Sequence, residues 1–203
     1  FANYLGQPTN PEYYLFSGGK SNIEDSRWHY LGTMQLLYNC TFDKKMLDDK
    51  FAFILSAVSL RQTIELKMQR ILGVADYFDL LGQKIFTNHY FFFDFIVKHK
   101  SHFDLTSINI RVIQKVFEFC NISVHKGIMP FYWQMFYATK FCDQLFYDPD
   151  YKTRKGWNIH SAIRVTKYED LKIKLETELV GMFPKPEYEL HIAWIKPEAQ
   201  LLD

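Results

Sequence analysis

Phe51-Ala52-Phe53-Ile54-Leu55-Ser56-Ala57-Val58-Ser59-Leu60-Arg61-Gln62-Thr63-Ile64-Glu65-Leu66-Lys67-Met68-Gln69-Arg70-Ile71-Leu72 is the stretch that decides the fold. Phe53, Ala57, Leu60, Ile64, Met68 and Ile71 recur at intervals of three and four, which draws one apolar stripe along a helix, and Gly73 stops the run. Arg61 lies at the edge of that stripe with Glu65 one turn later on the same face. A half-buried Arg needs a partner, and Glu65 is the nearest one in sequence.

Shorter helical patterns flank this segment. Trp28 to Tyr38 precedes it, and Lys84 to Lys98, Asn109 to His125 and Phe131 to Phe146 follow, the last entered through Gly127 and Pro130. Several helices on short links predict a mainly α chain built as a helical bundle. After Asp148-Pro149-Asp150 the texture changes. Asn158 to Val165 and Tyr188 to Ile195 alternate as strands do. Leu171, Ile173, Leu175 and Leu179 between them fit either period, and Thr166 with Glu169 has the spacing of a capping box, which favours a helix ending near Gly181. The expected organisation is an irregular arm over residues 1–26, a helical bundle over residues 27–148 and a small mixed α+β cap over residues 149–203. Ser17-Gly18-Gly19-Lys20-Ser21 in the arm reads as a turn, because a phosphate-binding loop needs a Gly where this chain has Tyr14.

Composition narrows the class of protein. With 48% hydrophobic and 23% charged residues in 203, the chain has ordinary globular usage, so disorder and fibrous repeats are excluded. Its aromatic content of 18% is high and points to a thick core or to an extra buried surface such as a dimer or partner-protein interface. Cys40, Cys120 and Cys142 are odd in number and far apart, the pattern of buried thiols in a cytoplasmic protein and not of a zinc site. No apolar run approaches the length of a membrane span; Tyr90 to Val97 is short and interrupted by Asp94. No metal or cofactor is expected. The chain opens Phe1-Ala2-Asn3-Tyr4, without Met and without a signal-peptide pattern, so we expect the natural start to lie upstream. The formal charge is only +1, yet four of the seven His and an excess of Lys and Arg fall between Lys98 and Lys174.

The Asn109 to His125 segment carries the densest chemistry. Ile110, Ile113, Phe117, Cys120 and Val124 form an apolar stripe, and Gln114, Glu118, Asn121 and His125 form a second line about 100° around the helix. Arg111, Lys115 and Lys126 lie just beyond it as a basic edge. An imidazole exchanges protons near neutral pH, an amide orients a hydroxyl or phosphate oxygen, and Lys and Arg attract a nucleic-acid backbone. A second reading is purely structural, with Asn121 and His125 bonded to each other or capping the helix before Gly127.

Asn121-Ile122-Ser123-Val124-His125-Lys126-Gly127, late in a helical bundle and followed by another helix, resembles the motif of the HEPN superfamily, the higher eukaryotic and prokaryotic nucleotide-binding proteins. The resemblance implies a helical, often dimeric protein that binds RNA or a nucleotide. It also implies metal-independent endoribonuclease activity of the toxin-antitoxin or phage-defence kind, or a catalytically eroded relative. Members pair an Arg, often followed by a polar residue, with a later His, four to six residues intervening. Asn121 and His125 match the polar residue and the His; the Arg position holds Cys120, and the longer spacings give Phe119 and Glu118. A thiol cannot stabilise charge on a phosphate as a guanidinium does. Arg61 is the substitute we expect, facing His125 across the bundle or across a dimer axis. His125 would then transfer protons, Asn121 would position the scissile group, and Arg111, Lys115 and Lys126 would hold phosphate. The alternative is a noncatalytic helical dimerisation or protein-interaction module. Lys98-His99-Lys100-Ser101-His102 is a secondary candidate for phosphate or metal, more simply read as an exposed helix end, and Lys152-Thr153-Arg154-Lys155-Gly156-Trp157 one for nucleic acid, more simply read as a surface loop.

Overall fold

The computed structural model describes residues 13–16, 19–22, 25–42, 49–79, 82, 85, 87–88, 90–147, 162–183 and 190–195. These residues are mainly helical: α1 (Asp25–Phe42), α2 (Asp49–Ile71), α3 (Phe91–Lys98), α4 (Ile110–Lys126), α5 (Tyr132–Cys142) and α6 (Tyr168–Met182). Three two-stranded antiparallel ladders accompany them, β1 (Tyr13–Phe16) with β2 (Gly19–Asn22), β3 (Val74–Phe78) with β6 (His191–Trp194), and β4 (Phe103–Asp104) with β5 (Arg164–Val165).

α2 is the axis of the molecule. Its apolar stripe is buried from Ala57 through Leu60, Ile64 and Met68 to Ile71, and Ser56, Thr63, Lys67 and Arg70 are buried as well. Burial on more than one side follows from its neighbours, α1 along one flank and α3, α4 and α5 along the others. Gly73 ends the helix at φ 78°, a left-handed conformation that glycine adopts without strain. The chain then enters β3 at once. Arg70 is buried and donates from Nη1 to the carbonyl of Val74, at 2.9 Å, and to that of Ala75.

Several elements differ from the sequence reading for identifiable reasons. The arm read as irregular contains β1 and β2, with Gly19, Lys20 and Ser21 in a strand, and α1 begins at Asp25. The third helix starts at Phe91 instead of Lys84. The amide of Ile85 donates to the Tyr77 carbonyl at 3.2 Å and that of Thr87 to the Tyr77 hydroxyl at 3.1 Å, which takes both away from any helical ladder. α5 gives way after Cys142 to a single tighter turn, Asp143–Leu145. Residues 168–182 are helical, with Leu171, Leu175 and Leu179 buried at intervals of four. Thr166 caps nothing there: its amide donates to the His102 carbonyl at 2.9 Å as an extension of the β4–β5 ladder. Of the strand expected over Asn158 to Val165, only Arg164–Val165 is a strand, residues 158–161 lying outside the described residues; the later strand is shortened to His191–Trp194.

The segment read as a cap is joined to the bundle at several places. β6 pairs with β3, β5 pairs with β4, and Leu171, Leu175, Leu179 and Ile195 belong to the same buried cluster as Leu60 and Phe117. Among the described residues no helix is long and apolar enough to cross a membrane. Aromatic rings fill much of the core: Tyr30 stacks on Phe146 at 4.3 Å, and Phe117 meets Tyr90 and Phe93 at 5.6 and 5.4 Å.

Candidate functional site

α4 is fixed at both ends. The Asn109 side chain accepts the amides of Arg111 and Val112, and Gly127 closes the helix at φ 62°. Its amphipathic pattern buries Ile113, Val116, Phe117, Cys120 and Ser123. Phe117 and Cys120 therefore face the core, and the next line around the helix meets α2 along a half-buried seam.

In that seam Arg61 reaches across from α2 and donates from Nε to Asn121 Oδ1 at 2.8 Å. Its Nη1 lies 3.6 Å from Glu65 Oε2, and its guanidinium carbon sits 5.5 Å over the Phe117 ring. The Arg61 and Glu65 side chains are 23% and 35% exposed, so solvent screens their ion pair. The Arg61 cation thus reaches the Asn121 side chain and the Phe117 ring from another helix. Cys120 is fully buried; burial pushes its thiol up to about 12 against the opposing pull of Arg61, so it remains a neutral thiol.

His125, one turn beyond Asn121, is exposed and makes no side-chain hydrogen bond or ion pair among the described residues. The structure brings Arg61 to Asn121, and no hydrogen bond joins Arg61 to His125. Arg111, Lys115 and Lys126 are exposed along the outer edge of the same helix. Arg111 lies in a cleft of about 860 Å³ at the start of α4, with the end of α5 as its other wall. This cleft is roughly 21 Å along the helix axis from His125.

No protein-family model, curated protein or solved structure matches the chain.

The segment from Lys98 to His102 forms a second polar cluster, with partners on α6 that sequence reading missed. His102 Nε2 lies 2.5 Å from Asp170 Oδ2, and Lys174 Nζ lies 2.8 Å from both groups. His99 Nε2 and Lys98 Nζ meet Glu178 Oε1 at 2.7 and 2.8 Å. Hydrogen bonds from Lys174 and then His102 lower the Asp170 carboxyl to about 2. Burial raises the Glu178 carboxyl, but the bonds from Lys98 and His99 outweigh it and the net shift is downward. Lys98, His99, His102 and Lys174 each meet a carboxylate of α6, so the cluster acts as a brace between the turn after α3 and α6. Among the described residues no group of His, Cys, Asp or Glu is arranged to hold a metal ion. The stretch from Lys152 to Trp157 lies outside the described residues.

Proposed function

We propose that this chain is an RNA-binding protein of the HEPN type, in which Arg61 of α2 supplies the cation whose place in the motif is taken by Cys120. The observation that carries the reading is the 2.8 Å hydrogen bond from Arg61 Nε to Asn121 Oδ1. It puts a guanidinium beside the residue that matches the motif's polar position, one turn from the exposed His125.

In the enzymatic form of the proposal the ribose 2′-hydroxyl attacks the adjacent phosphorus and the 5′-oxygen leaves, with no metal required. His125 carries the proton, Asn121 orients the phosphate oxygen, and Arg61 offsets the charge that develops there. Arg111, Lys115 and Lys126 hold the flanking phosphates. The setting is then a toxin-antitoxin or phage-defence ribonuclease. Incubating the protein with end-labelled RNA in the presence of a chelator tests this: His125→Ala is expected to abolish cleavage and Arg61→Met to reduce it severely, both variants retaining wild-type stability curves to within their packing cost. Intact RNA with identical behaviour of wild type and His125→Ala removes the enzymatic form, and salt-dependent RNA binding without cleavage leaves a catalytically eroded relative.

A second reading, a noncatalytic dimerisation or protein-interaction module, is favoured by one observation: Phe131, Trp133, Tyr137 and Phe141 are exposed in and just before α5. A sedimentation experiment showing a tight dimer, together with no RNA affinity at low salt, selects it.

A further inference from the structure

Along the outer side of α5 three rings recur at every fourth position: Trp133, Tyr137 and Phe141, which are 58%, 53% and 52% exposed. Phe131 continues the line before the helix and lies parallel to Trp133, with ring centroids 6.3 Å apart and planes at 7°. The core does not call for these rings, because α5 buries Met135, Ala138, Thr139 and Cys142 instead. Positions four apart on a helix are neighbours about 6 Å from one another along its axis, so the rings make a stepped aromatic edge.

At its far end this edge runs into the cleft between α5 and α4. Tyr137, Lys140, Phe141 and Gln144 form one wall, and Asn109 and Arg111 stand on the other. Arg111 and Lys140 are exposed and pair with no carboxylate among the described residues. The nearest acid on α5 and the turn after it, Asp143, already accepts the hydroxyl of Tyr30. A short loop joins α4 to α5, and the start of one lies beside the end of the other, so the helices run antiparallel and the ring series leads from the His125 end of α4 back to Arg111.

An apolar partner would leave both cations desolvated without a counter-charge. A single-stranded polyanion with flat aromatic bases satisfies every part of the surface at once. We propose that the outer face of α5 and the first turn of α4 form a track for single-stranded RNA. Bases stack on Trp133, Tyr137 and Phe141, and phosphates lie on Arg111 and Lys140. The choice of RNA over DNA rests on the HEPN-type reading; the track itself stands on its own geometry, remote from Arg61 and Asn121.

The test is fluorescence anisotropy with a labelled oligouridylate of about 12 nucleotides, a length within the range that a stacking groove covers. Matching single-stranded DNA and duplex RNA serve as comparison probes, each over a series of salt concentrations. Trp133→Ala, Tyr137→Ala and Phe141→Ala are each expected to weaken binding at least about fivefold, whereas Tyr137→Phe retains it. Arg111→Gln with Lys140→Gln is expected to flatten the log-log salt slope by roughly 1.4. Duplex RNA should bind worse than the single strand. Equal affinity of wild type and the triple alanine variant overturns the track. So does absence of binding by wild type, or a self-association that Trp133→Ala abolishes while RNA affinity is unchanged, which would assign the face to a second copy of the chain. Tighter binding of the DNA probe keeps the track and refutes its assignment to RNA. Cleavage of end-labelled RNA and ring-dependent oligouridylate affinity are read separately, so failure of the HEPN-type reading and failure of the track are distinguishable outcomes.

Discussion

His102 Nε2 and Asp170 Oδ2 are 2.5 Å apart, although 68 residues separate them in sequence. The bond clamps the turn after α3 to the first turn of α6, and Lys174 completes it from the next turn of the same helix. The Asp170 carboxyl titrates near 2 in the folded chain and has an ordinary value of 3.8. A group whose pKa is depressed by folding stabilises the fold above its unfolded value and loses that contribution as pH falls through its folded one. The melting temperature of wild type should therefore exceed that of Asp170→Asn at about pH 5, with the gap closing between about pH 4 and pH 2. A gap independent of pH over that interval would contradict the assignment.

The seam between α2 and α4 makes a second measurable statement. If the Arg61–Asn121 hydrogen bond is formed in solution, Arg61→Met and Asn121→Ala should be non-additive in urea denaturation, with a coupling free energy of about 0.5–1.5 kcal/mol. Arg61→Met with Glu65→Gln should couple by no more than about 0.5 kcal/mol, since that pair is long and partly solvated. Full additivity of the first pair would remove the geometric basis of the functional proposal.

Tyr30 offers a test of the α1–α5 contact. Its hydroxyl donates to Asp143 and, at 3.0 Å, to the Thr139 carbonyl. Burial and then the Asp143 carboxylate push the phenol far above its ordinary value, so it stays a protonated donor. Tyr30→Phe keeps the stack on Phe146 and should cost roughly 1.5–3 kcal/mol, as expected for a bond to a charged group. Tyr30→Ala also loses the ring, and the cost should rise to about 3–5 kcal/mol. Chemical denaturation of the two variants separates these contributions.

Two glycines with similar backbone angles should respond differently to alanine. Gly73 and Gly127 have φ values of 78° and 62°. A Cβ at Gly73 would strike the Tyr168 hydroxyl, while one at Gly127 would meet open space. Gly127→Ala should cost about 1–2 kcal/mol from the left-handed backbone alone. Gly73→Ala should cost clearly more, and Tyr168→Leu should recover part of the excess; equal costs for the two glycines would argue against the close approach of Tyr168.

How far the sequence reveals these features depends on whether their cause is local. α2 and α4 are legible because their apolar periods are unbroken and each ends at a glycine. β3 is not, because Val74, Ala75, Asp76 and Tyr77 are all buried, so no alternation marks the strand, and its partner is β6 near the other end of the chain. The start of α3 is displaced by Tyr77, a residue outside the helical pattern. Thr166 and Glu169 have the spacing of a cap, but the backbone of Thr166 is recruited to β4–β5. At the site, Arg61 stands out as a cation on the edge of an apolar stripe, and the structure gives it Asn121 as a partner. Asp170, Lys174 and Glu178 look in sequence like the solvated face of a helix. Only folding brings them to His99 and His102.

The β3–β6 ladder also bears on how the molecule can be made and divided. A fragment ending at residue 148 would present Val74 to Phe78 as an open strand edge and uncover the core face that Leu171, Leu175 and Leu179 close. During synthesis the same exposure lasts until the segment around residue 195 has left the ribosome, so the helices wait for a strand made more than a hundred residues later. A fragment limited to the helical body is thus expected to be less soluble than the full chain, to the degree that this edge goes unshielded.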